Sequence, residues 1–500
     1  MATFFESLSL YPSLALILIT ILVIIFKNFK KPFSSNIPKL PPGPSPWPLV
    51  GNIPHMRNMT HISLANLAQI HGPIMSLKLP NKYIIVGSSK EVAIEILKRH
   101  DHLLSGRDPP IGHPYTKEEL NHISIGWPEE CNERWKYLRA LCKAELFSGK
   151  ALASQEYVRQ KKTFEMVELI KASEGKVVQV RQIIFATIFN MLSSILLSRD
   201  LVSLEEEVED RKMKGLMRRV TEILMEPNIS DIFPALNSLD LQGVHKKGKK
   251  LWKEIWDIFE PLVEEKRLRK SKENAEKQDF LDTLVALQFS DDEVQELLVE
   301  LFSAGSDTST STIEWAMAEL VKNPEAMKNL QDELEREISQ DLIKETHLMQ
   351  LPYLQACVKE TLRLHPAAPL LIPRKPIEAC RVMNYTIPKN SQVLVNVWAI
   401  GRDQTTWEDP MEFKPERFLN SSLDFKGNDF EFLPFGGGRR ICPGYPMAMR
   451  QIPLAIASMI HYFNWYLPKG TRPDMLDMSE SFGLTLEKEH PLLIIPRARR

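Results

Sequence analysis

The sequence predicts a mostly α-helical protein with small β-sheets, preceded by a single N-terminal transmembrane helix. Helical hydrophobic periodicity dominates from Glu91 onward, short strand-like segments are confined to the two ends of the body, and an apolar stretch opens the chain. The 500 residues are 43% hydrophobic with a net charge of −1, which suffices for a large core. This balance lacks the basic excess expected of a protein that binds nucleic acid.

The apolar stretch at the N-terminus predicts a membrane anchor. Ser7 to Phe26 contains no charged residue, which matches the roughly 20 residues that a helix needs to cross a bilayer. Lys27, Lys30 and Lys31 follow at once, so the positive-inside rule places the rest of the chain in the cytosol. A cleaved signal peptide would carry a basic start and an Ala-x-Ala-like site, and neither is present. We therefore expect an uncleaved anchor over residues 1–31.

A proline-rich segment follows the anchor and divides the chain. Four prolines between Pro41 and Pro46 exclude a helix or an inner strand and predict a stiff spacer. We expect residues 32–52 to form this hinge and residues 53–500 to form one catalytic body, because no repeat or second linker follows. The five cysteines are scattered and odd in number, which argues against a disulfide scaffold.

Within the body, strands and helices can be placed in order. Ile74–Leu79 and Tyr83–Val86 predict a hairpin that turns at Pro80 and Asn81. Helical periodicity predicts helices at Glu91–Arg99, Glu133–Glu145, Ala153–Lys171, Arg181–Ser198, Glu205–Met225, His245–Lys270 and Asp279–Phe289. Late strands are predicted at Arg381–Ile387, Gln392–Asn396 and Leu484–Ile495.

A long helix begins at Ser290, where Ser290 and Glu293 form a capping box, and ends before Pro324. Its apolar stripe runs into Gly305 and Thr308, so a glycine and a hydroxyl occupy a face where leucine would stabilise more. Small and polar residues in the middle of a buried helix indicate that something large lies against it. A simple kink, or Ser and Thr satisfying backbone groups, is the alternative for this segment alone.

The most specific pattern is the glycine-rich run Phe435 to Gly444, which contains Cys442 and Arg440. Glycines let backbone approach a flat macrocycle, N–H groups tune a thiolate, and an arginine can pair with a propionate. A phosphate loop would need a following Lys-Ser/Thr, and a zinc site would need several nearby thiols or imidazoles. Neither pattern occurs, so a haem-thiolate loop is favoured over a buried structural cysteine.

Two further helical pairs are weaker signals. Glu360 and Arg363 share a helix face, and such a pair contributes about 0–1 kcal/mol on a surface. If the pair is buried among the neighbouring leucines, breaking it costs roughly 3–5 kcal/mol. Trp135 and Arg139 also share a face, although an amphipathic surface helix would explain this pair taken alone.

Together these patterns resemble the cytochrome P450 family. The run Phe435 to Gly444 matches Phe-x-x-Gly-x-Arg-x-Cys-x-Gly at every fixed position, and the resemblance extends from Leu40 to Arg500. It implies the cytochrome P450 fold, haem b with Cys442 as the iron ligand, O₂, and NADPH electrons delivered by a separate NADPH–cytochrome P450 reductase. Other cofactor-binding residues implied by the resemblance are Trp135, Arg139, Arg374, Phe435, Gly438, Arg440 and Gly444.

The same resemblance assigns roles on the other side of the haem. In the oxygen-activation motif, Gly305 gives O₂ room, Thr308 hydrogen-bonds dioxygen and Asp307 relays protons. Glu360, Arg363 and Arg417 are implied as a structural triad. The implied substrate pocket consists of Leu301, Phe302, Ala304, Ala368, Leu370, Leu371, Phe482 and Leu484.

Finer matches, such as Ser311–Met317 and Phe482–Leu486, resemble the plant alkaloid-oxidising group. They imply a single-pass endoplasmic reticulum enzyme with a cytosolic catalytic domain that hydroxylates or oxidatively rearranges a small apolar or amine substrate. The specific expectation is a littorine mutase, which converts littorine to hyoscyamine aldehyde. The alternatives are a benzylisoquinoline hydroxylase or phenol-coupling enzyme, a monoterpenoid hydroxylase and, in another class, a non-catalytic haem-binding membrane scaffold.

Overall fold

The computed structural model describes residues 39–56, 59–202, 209–270, 279–338 and 342–499, and helices dominate it. The predicted anchor, 1–31, and the first part of the hinge lie outside the described residues. The helices are α1 His61–His71, α2 Lys90–Ile94, α3 Lys117–Ile123, α4 Glu133–Cys142, α5 Gly149–Ser154, α6 Glu156–Ala172, α7 Val180–Leu197, α8 Glu209–Met225, α9 Ile229–Ile232, α10 Val244–Lys270, α11 Phe280–Ala286, α12 Asp291–Lys322, α13 Pro324–Glu337, α14 Pro352–Leu364, α15 Val397–Ile400 and α16 Tyr445–Tyr462. The predicted mostly helical class with small sheets is confirmed for this part of the chain.

The strands are short. They are β1 Ile74–Lys78, β2 Tyr83–Gly87, β3 Val178–Gln179, β4 Cys380–Val382, β5 Tyr385–Ile387, β6 Gln392–Val395, β7 Phe463–Tyr466, β8 Glu480–Ser481, β9 Glu487–Lys488 and β10 Leu493–Ala498. They form sheets in the orders β1-β2-β6, β3-β10-β7, β4-β5 and β8-β9, and the β2–β6 pair is parallel while the others are antiparallel. The predicted hairpin is confirmed, with Ile74 opposite Gly87. The predicted strand Leu484–Ile495 is instead split into β9 and β10, because Pro491 between them has no N–H to donate.

The core is built where α12 crosses α7. Phe302 of α12 is completely buried, and its ring stacks on Phe189 at 4.8 Å and on Phe259 at 5.7 Å between centroids. Among the described residues, α7 is the one helix with the length and hydropathy to cross a membrane. Because 78% of that helix is buried inside the protein, packing against α12 accounts for its apolar character.

The ends of α12 follow the predicted signals. The Ser290 hydroxyl accepts a hydrogen bond from the Glu293 N–H, and the Glu293 carboxylate accepts one from the Ser290 N–H at 2.9 Å. At the other end Asn323 leaves the helix and Pro324 starts α13. The capping box therefore fixes the residue at which α12 begins, and with it the position of Gly305 and Thr308 along the helix.

The predicted triad is a buried ionic brace on α14. Arg363 holds both carboxylate oxygens of Glu360 at 2.7 Å, and Arg417 donates to the same carboxylate at 2.9 Å. Arg363 also donates to the carbonyl oxygens of Gly401 and Pro410. One guanidinium thereby ties α14 to the irregular segment that precedes the glycine-rich loop.

We expect Glu360→Gln to lower the free energy of unfolding by about 3–5 kcal/mol, because two buried arginines lose their shared counter-charge. Urea denaturation followed by circular dichroism measures the change. Glu133→Gln is the matched control: its ion pair with Lys136 lies on the surface, and its loss should cost about 0–1 kcal/mol. Similar effects of the two substitutions would show that Glu360 is not a brace.

Candidate functional site

The middle of α12 presents an open face. Its neighbours along the helix are largely buried, yet Ala304 is exposed and Thr308 is partly exposed. The Thr308 hydroxyl donates to the Ala304 carbonyl at 2.7 Å, so its oxygen lies beside that opening. The predicted catalytic hydroxyl therefore faces a space and not a neighbouring side chain.

Gly305 has a packing reason that the sequence did not indicate. A Cβ atom added at Gly305 would lie 2.9 Å from Cδ1 of Leu192 on α7, which is closer than real contacts allow. The absence of a side chain lets α7 and α12 approach each other here. The predicted role of Gly305 in making room for O₂ remains a prediction.

Asp307 combines burial with a charged neighbourhood. Burial raises the pKa of its carboxyl to about 7, the negative charge of Glu487 adds to this rise, and Lys214 and Arg181 oppose it. Arg181 is itself held by Glu314 at 2.6 Å and by Glu487 at 2.7 Å. Asp307 thus lies next to a chain of charged side chains and can exist in both protonation states near neutral pH.

The glycine-rich loop holds Cys442 by backbone contacts. The Cys442 N–H donates to the Phe435 carbonyl at 3.0 Å. Gly436 and Gly438 both have φ of +68°, and a Cβ atom at Gly438 would clash with the Leu97 carbonyl. Burial raises the pKa of the free Cys442 thiol, whereas the N–H groups that follow it and the Arg139 charge lower it.

A hydrogen bond ties the two predicted functional segments together. The Gln451 amide of α16 donates to the Ser309 hydroxyl of α12 at 2.7 Å, and both residues are buried. α16 begins at Tyr445, directly after the loop that carries Cys442. The residue beside Thr308 is therefore fixed to the helix that starts at the thiol.

Arginines surround the glycine-rich loop. Arg374 donates to Asp101 at 2.7 Å and to the Gly437 carbonyl at 2.9 Å, which anchors the loop. Arg139 donates to the Ile441 carbonyl at 2.7 Å. The predicted partner Trp135 lies between Arg139 and Arg440, with its ring centroid 5.1 Å from one guanidinium and 4.9 Å from the other. Its own N–H is taken by the Ile125 carbonyl at 3.0 Å.

Arg374 of this cluster is paired with Asp101, whereas Arg440 and the neighbouring Arg107 form no ion pair within the described residues. Burial lowers the pKa of Arg440 to about 10 and that of Arg107 well below its usual value, and neighbouring arginines add to both shifts. Within the described residues, Nη1 of Arg440 and Nε of Arg107 are buried without a hydrogen-bond partner. An unpaired buried cation is costly, so a group with two carboxylates, such as haem, fits this cluster.

The predicted pocket residues divide into two groups. Leu301, Ala368, Leu371, Phe482 and Leu484 are partly exposed, as residues lining a cavity would be, and Ala304 is exposed. Phe302 lies two residues from Ala304 and so on the opposite side of α12, inside the core. Leu370 is likewise buried, against the β1–β2–β6 sheet. Their packing argues against a place on a pocket wall for these two.

Glu300 is a site residue that the sequence reasoning missed. It lies one helical turn before Ala304 on the same face of α12 and accepts hydrogen bonds from the N–H groups of Ile125 and Gly126, both at 2.8 Å. Burial raises its pKa to about 7. Helical spacing from Ala304 could have identified it, whereas its backbone partners could not be read from the sequence.

A second missed group supports the segment that carries Phe482. Glu480 accepts from His61 at 2.7 Å, and the His61 ring lies 5.4 Å from the Phe482 ring. His365 bridges Glu480 and Glu319, at 3.2 and 2.8 Å. These residues are far apart in the sequence and share no spacing pattern, so no local signal predicts that they meet.

The comparisons with known proteins agree with this geometry. A sequence profile described as "Cytochrome P450" matches residues 41–494. (S)-N-methylcoclaurine 3'-hydroxylase isozyme 1 of Papaver somniferum is 44% identical over 486 residues, which cover 97% of this chain and 99% of the relative. Corytuberine synthase of Coptis japonica is 44% identical over 484 residues, 95% and 97% of the two chains. Geraniol 8-hydroxylase of Catharanthus roseus is 41% identical over 473 residues, 93% and 95% of the two chains.

We expect Arg440→Gln to weaken haem binding roughly tenfold to hundredfold, because a charge-assisted hydrogen bond to a propionate contributes about 1.5–3 kcal/mol. Titration of haem into the purified protein measures the affinity. Arg439→Gln is the matched control, since this neighbouring side chain is 51% exposed. Equal losses in the two variants would contradict the assignment of Arg440 to a propionate.

Proposed function

Because this chain belongs to the cytochrome P450 family and is a cytochrome P450 monooxygenase, we propose that it hydroxylates a benzylisoquinoline-type plant alkaloid. The observation that carries the proposal is full-length similarity to an N-methylcoclaurine 3'-hydroxylase. The family implies a haem-thiolate cofactor, with O₂ and a reductase as partners, and its plant members suggest association with a membrane. The relatives named above include both an alkaloid hydroxylase and a monoterpenoid hydroxylase, so the chain is related to both groups.

This proposal replaces the specific expectation of a littorine mutase. By their names, the relatives are hydroxylases and a synthase, and none of those described above carries out that rearrangement. The hydroxylase alternative is therefore better supported than the mutase. At 44% sequence identity the relative shows the family of this chain, and the benzylisoquinoline substrate is our proposal.

We assign the haem site to the residues of the glycine-rich loop and the arginine cluster. The Cys442 thiolate would hold the iron, and Arg440, Arg139 and Arg374 would stabilise the propionates. When bound through sulfur, the haem supplies O₂ activation at its iron. The buried Nη1 of Arg440 supports this assignment: Nε and Nη2 donate to the carbonyls of Ser105 and Pro128, whereas Nη1 has no acceptor among the described residues.

Proton delivery would fall to Thr308 and Asp307. The Thr308 hydroxyl lies at the open face of α12 and can orient an oxygen placed there. With a pKa of about 7, Asp307 is part protonated at neutral pH, so it can donate a proton and be reprotonated within a turnover. Arg181 and Lys214 would set that balance through their positive charges.

An amine substrate suits the open face of α12 better than an uncharged terpenoid does. Glu300, Ala304 and Thr308 succeed one another at intervals of four residues, so a carboxylate lies on the same face as the proposed reaction centre. A protonated amine near Glu300 would lower the pKa of that carboxyl from about 7 and gain a counter-charge. This favours alkaloids within the range of substrates that the relatives' names suggest.

The test is expression of the full-length chain with a plant reductase in microsomes, supplied with benzylisoquinolines, littorine and geraniol, and read by mass spectrometry. The proposal predicts that a benzylisoquinoline gains one oxygen atom. Loss of two hydrogens from a benzylisoquinoline would indicate phenol coupling, and a rearranged aldehyde two hydrogens lighter than littorine would indicate the mutase. Turnover of geraniol alone would indicate a monoterpenoid hydroxylase. Each of these results would overturn the proposal. A reduced, carbon-monoxide-bound spectrum without the thiolate Soret band would favour the non-catalytic scaffold.

The pH dependence of coupling tests the role of Asp307. Its pKa is raised, so the protonated acid prevails below about pH 7 and is lost as the pH rises further. We expect the product formed per NADPH consumed to fall above that pH in the natural protein. Lys214→Met removes a charge that lowers this pKa and should move the fall to higher pH, by roughly one unit.

Asp307→Asn provides the second arm of this experiment. It should remove the pH-dependent fall altogether and lower product formation at least roughly 100-fold, the effect of losing a positioned acid. The reduced carbon-monoxide spectrum checks that the haem site is intact. An unchanged pH profile in both variants would exclude Asp307 as the proton donor.

A further inference from the structure

A groove on the outside of the protein lies apart from the haem site. It has a volume of about 490 Å³ and runs between the segment 114–119, the first half of α10 and the start of α12. The residues that give it its chemistry are Tyr115, His245, Lys249, Trp252, Lys253 and Trp256. Two indole rings and three basic groups therefore line one depression.

The floor of the groove is rigidly built. The Tyr115 hydroxyl lies within hydrogen-bond distance of two oxygens, Oδ1 of Asp292 at 2.9 Å and Oε1 of Gln295 at 3.0 Å. The Trp252 N–H donates to the Glu296 carboxylate at 3.2 Å. Nearby, Gly248 touches the Gly112 carbonyl so closely that any side chain would clash. The groove is thus a fixed junction between α10, α12 and the segment before α3.

The two lysines of the groove have no ion-pair partner within the described residues. Among the described residues, neither Lys249 nor Lys253 forms an ion pair, whereas Lys247 pairs with Glu226 at 2.8 Å and Lys250 lies 3.9 Å from Glu254. Glu119 is the carboxylate that lines the groove, and it already accepts the Thr116 N–H in a helix cap.

The folded protein gives Lys249 and Lys253 no evident role of their own. They lie beyond the first turn of α10, which begins at Val244, and the N-terminus of that helix is already served by Asp240, which accepts from two of its first N–H groups. An external anion would supply the counter-charge that the two lysines lack among the described residues.

The surroundings of the groove indicate which anion. The segment just before α10 exposes large apolar side chains: Phe233 is 45%, Leu239 is 62% and Leu241 is 57% exposed. Apolar side chains followed by tryptophans and lysines are the order found where a protein passes from the hydrocarbon to the headgroup layer of a membrane. A soluble anion would need no apolar neighbour.

We propose that this groove binds the headgroup of an anionic phospholipid, with Lys249, Lys253 and His245 around the phosphate and Trp252 and Trp256 against its apolar part. The bound lipid would select an anionic surface and fix one orientation of the catalytic body on it. The groove shares no residue with the proposed haem and substrate site. A negative result for lipid binding would therefore leave the proposed monooxygenase function untouched, and the reverse also holds.

The experiment uses the full-length protein in nanodiscs of zwitterionic phosphatidylcholine, titrated with short-chain phosphatidylserine brominated on its acyl chains. Saturable quenching of tryptophan fluorescence measures binding, and brominated phosphatidylcholine measures the background. Lys249→Gln with Lys253→Gln should weaken binding of phosphatidylserine roughly 30-fold, because two basic groups leave the headgroup. Trp256→Phe should reduce the amplitude of quenching without this loss of affinity.

The control is Lys246→Gln with Lys250→Gln, which removes the same charge from the same helix outside the lining of the groove. We expect this pair to weaken binding less than about threefold, since exposed charges at a distance are screened. Equal weakening by both pairs would reduce the effect to diffuse attraction and overturn the site. Equal binding of phosphatidylcholine, or of glycerophosphoserine without acyl chains, would overturn the anionic lipid as the ligand. Unchanged reduced carbon-monoxide spectra show that the variants are folded.

Discussion

The buried ion pair between Glu360 and Arg363 is the interaction on which the irregular segment before the glycine-rich loop depends. Both side chains are fully buried, so neither charge can remain there without the other. Arg363 uses its remaining donors on the carbonyls of Gly401, Pro410 and Glu412, which belong to an irregular segment with little regular structure of its own. That segment leads to the glycine-rich loop. The charge pair therefore ties α14 to the segment that leads to the loop carrying Cys442.

On α12 and in the arginine cluster, residues that suit a bound group lower the stability of the protein when it is alone. The small or polar residues Ala304 and Thr308 leave one face of α12 open, while the stacked rings around Phe302 fill the core on the other side of the helix. Around the loop, Arg440 and Arg107 are buried with free nitrogens and mutual repulsion. Both features disfavour the protein alone, and both fit a flat dianionic group that would lie between them.

The local motifs could be predicted from the sequence because each rests on a short spacing. The capping box at Ser290, the pair Glu360 and Arg363, and the glycines before Cys442 need only neighbours along the chain. Long-range packing could not be predicted. Helical periodicity placed Phe302 correctly on α12, but only the position of α7 and α10 shows that this ring points into the core. The break between β9 and β10 falls at Pro491, and the two strands belong to different sheets, which the sequence alone does not show.

The surroundings of Phe482, a predicted pocket residue, show why sequence motifs identify the type of reaction more readily than the substrate. His365 has a carboxylate oxygen beside each ring nitrogen, Glu480 at 3.2 Å and Glu319 at 2.8 Å. Burial tends to raise the pKa of Glu480, but the hydrogen bonds from His365 and His61, together with the nearby Arg402, hold that pKa well below its usual value. Glu480 precedes Phe482 by two residues, and His61 contacts both. Phe482 is thus positioned by a network of buried polar side chains on α1, on α12 and just after α14, none of which belongs to a motif. Substrate choice can change through such a network while Cys442 and Thr308 stay as they are.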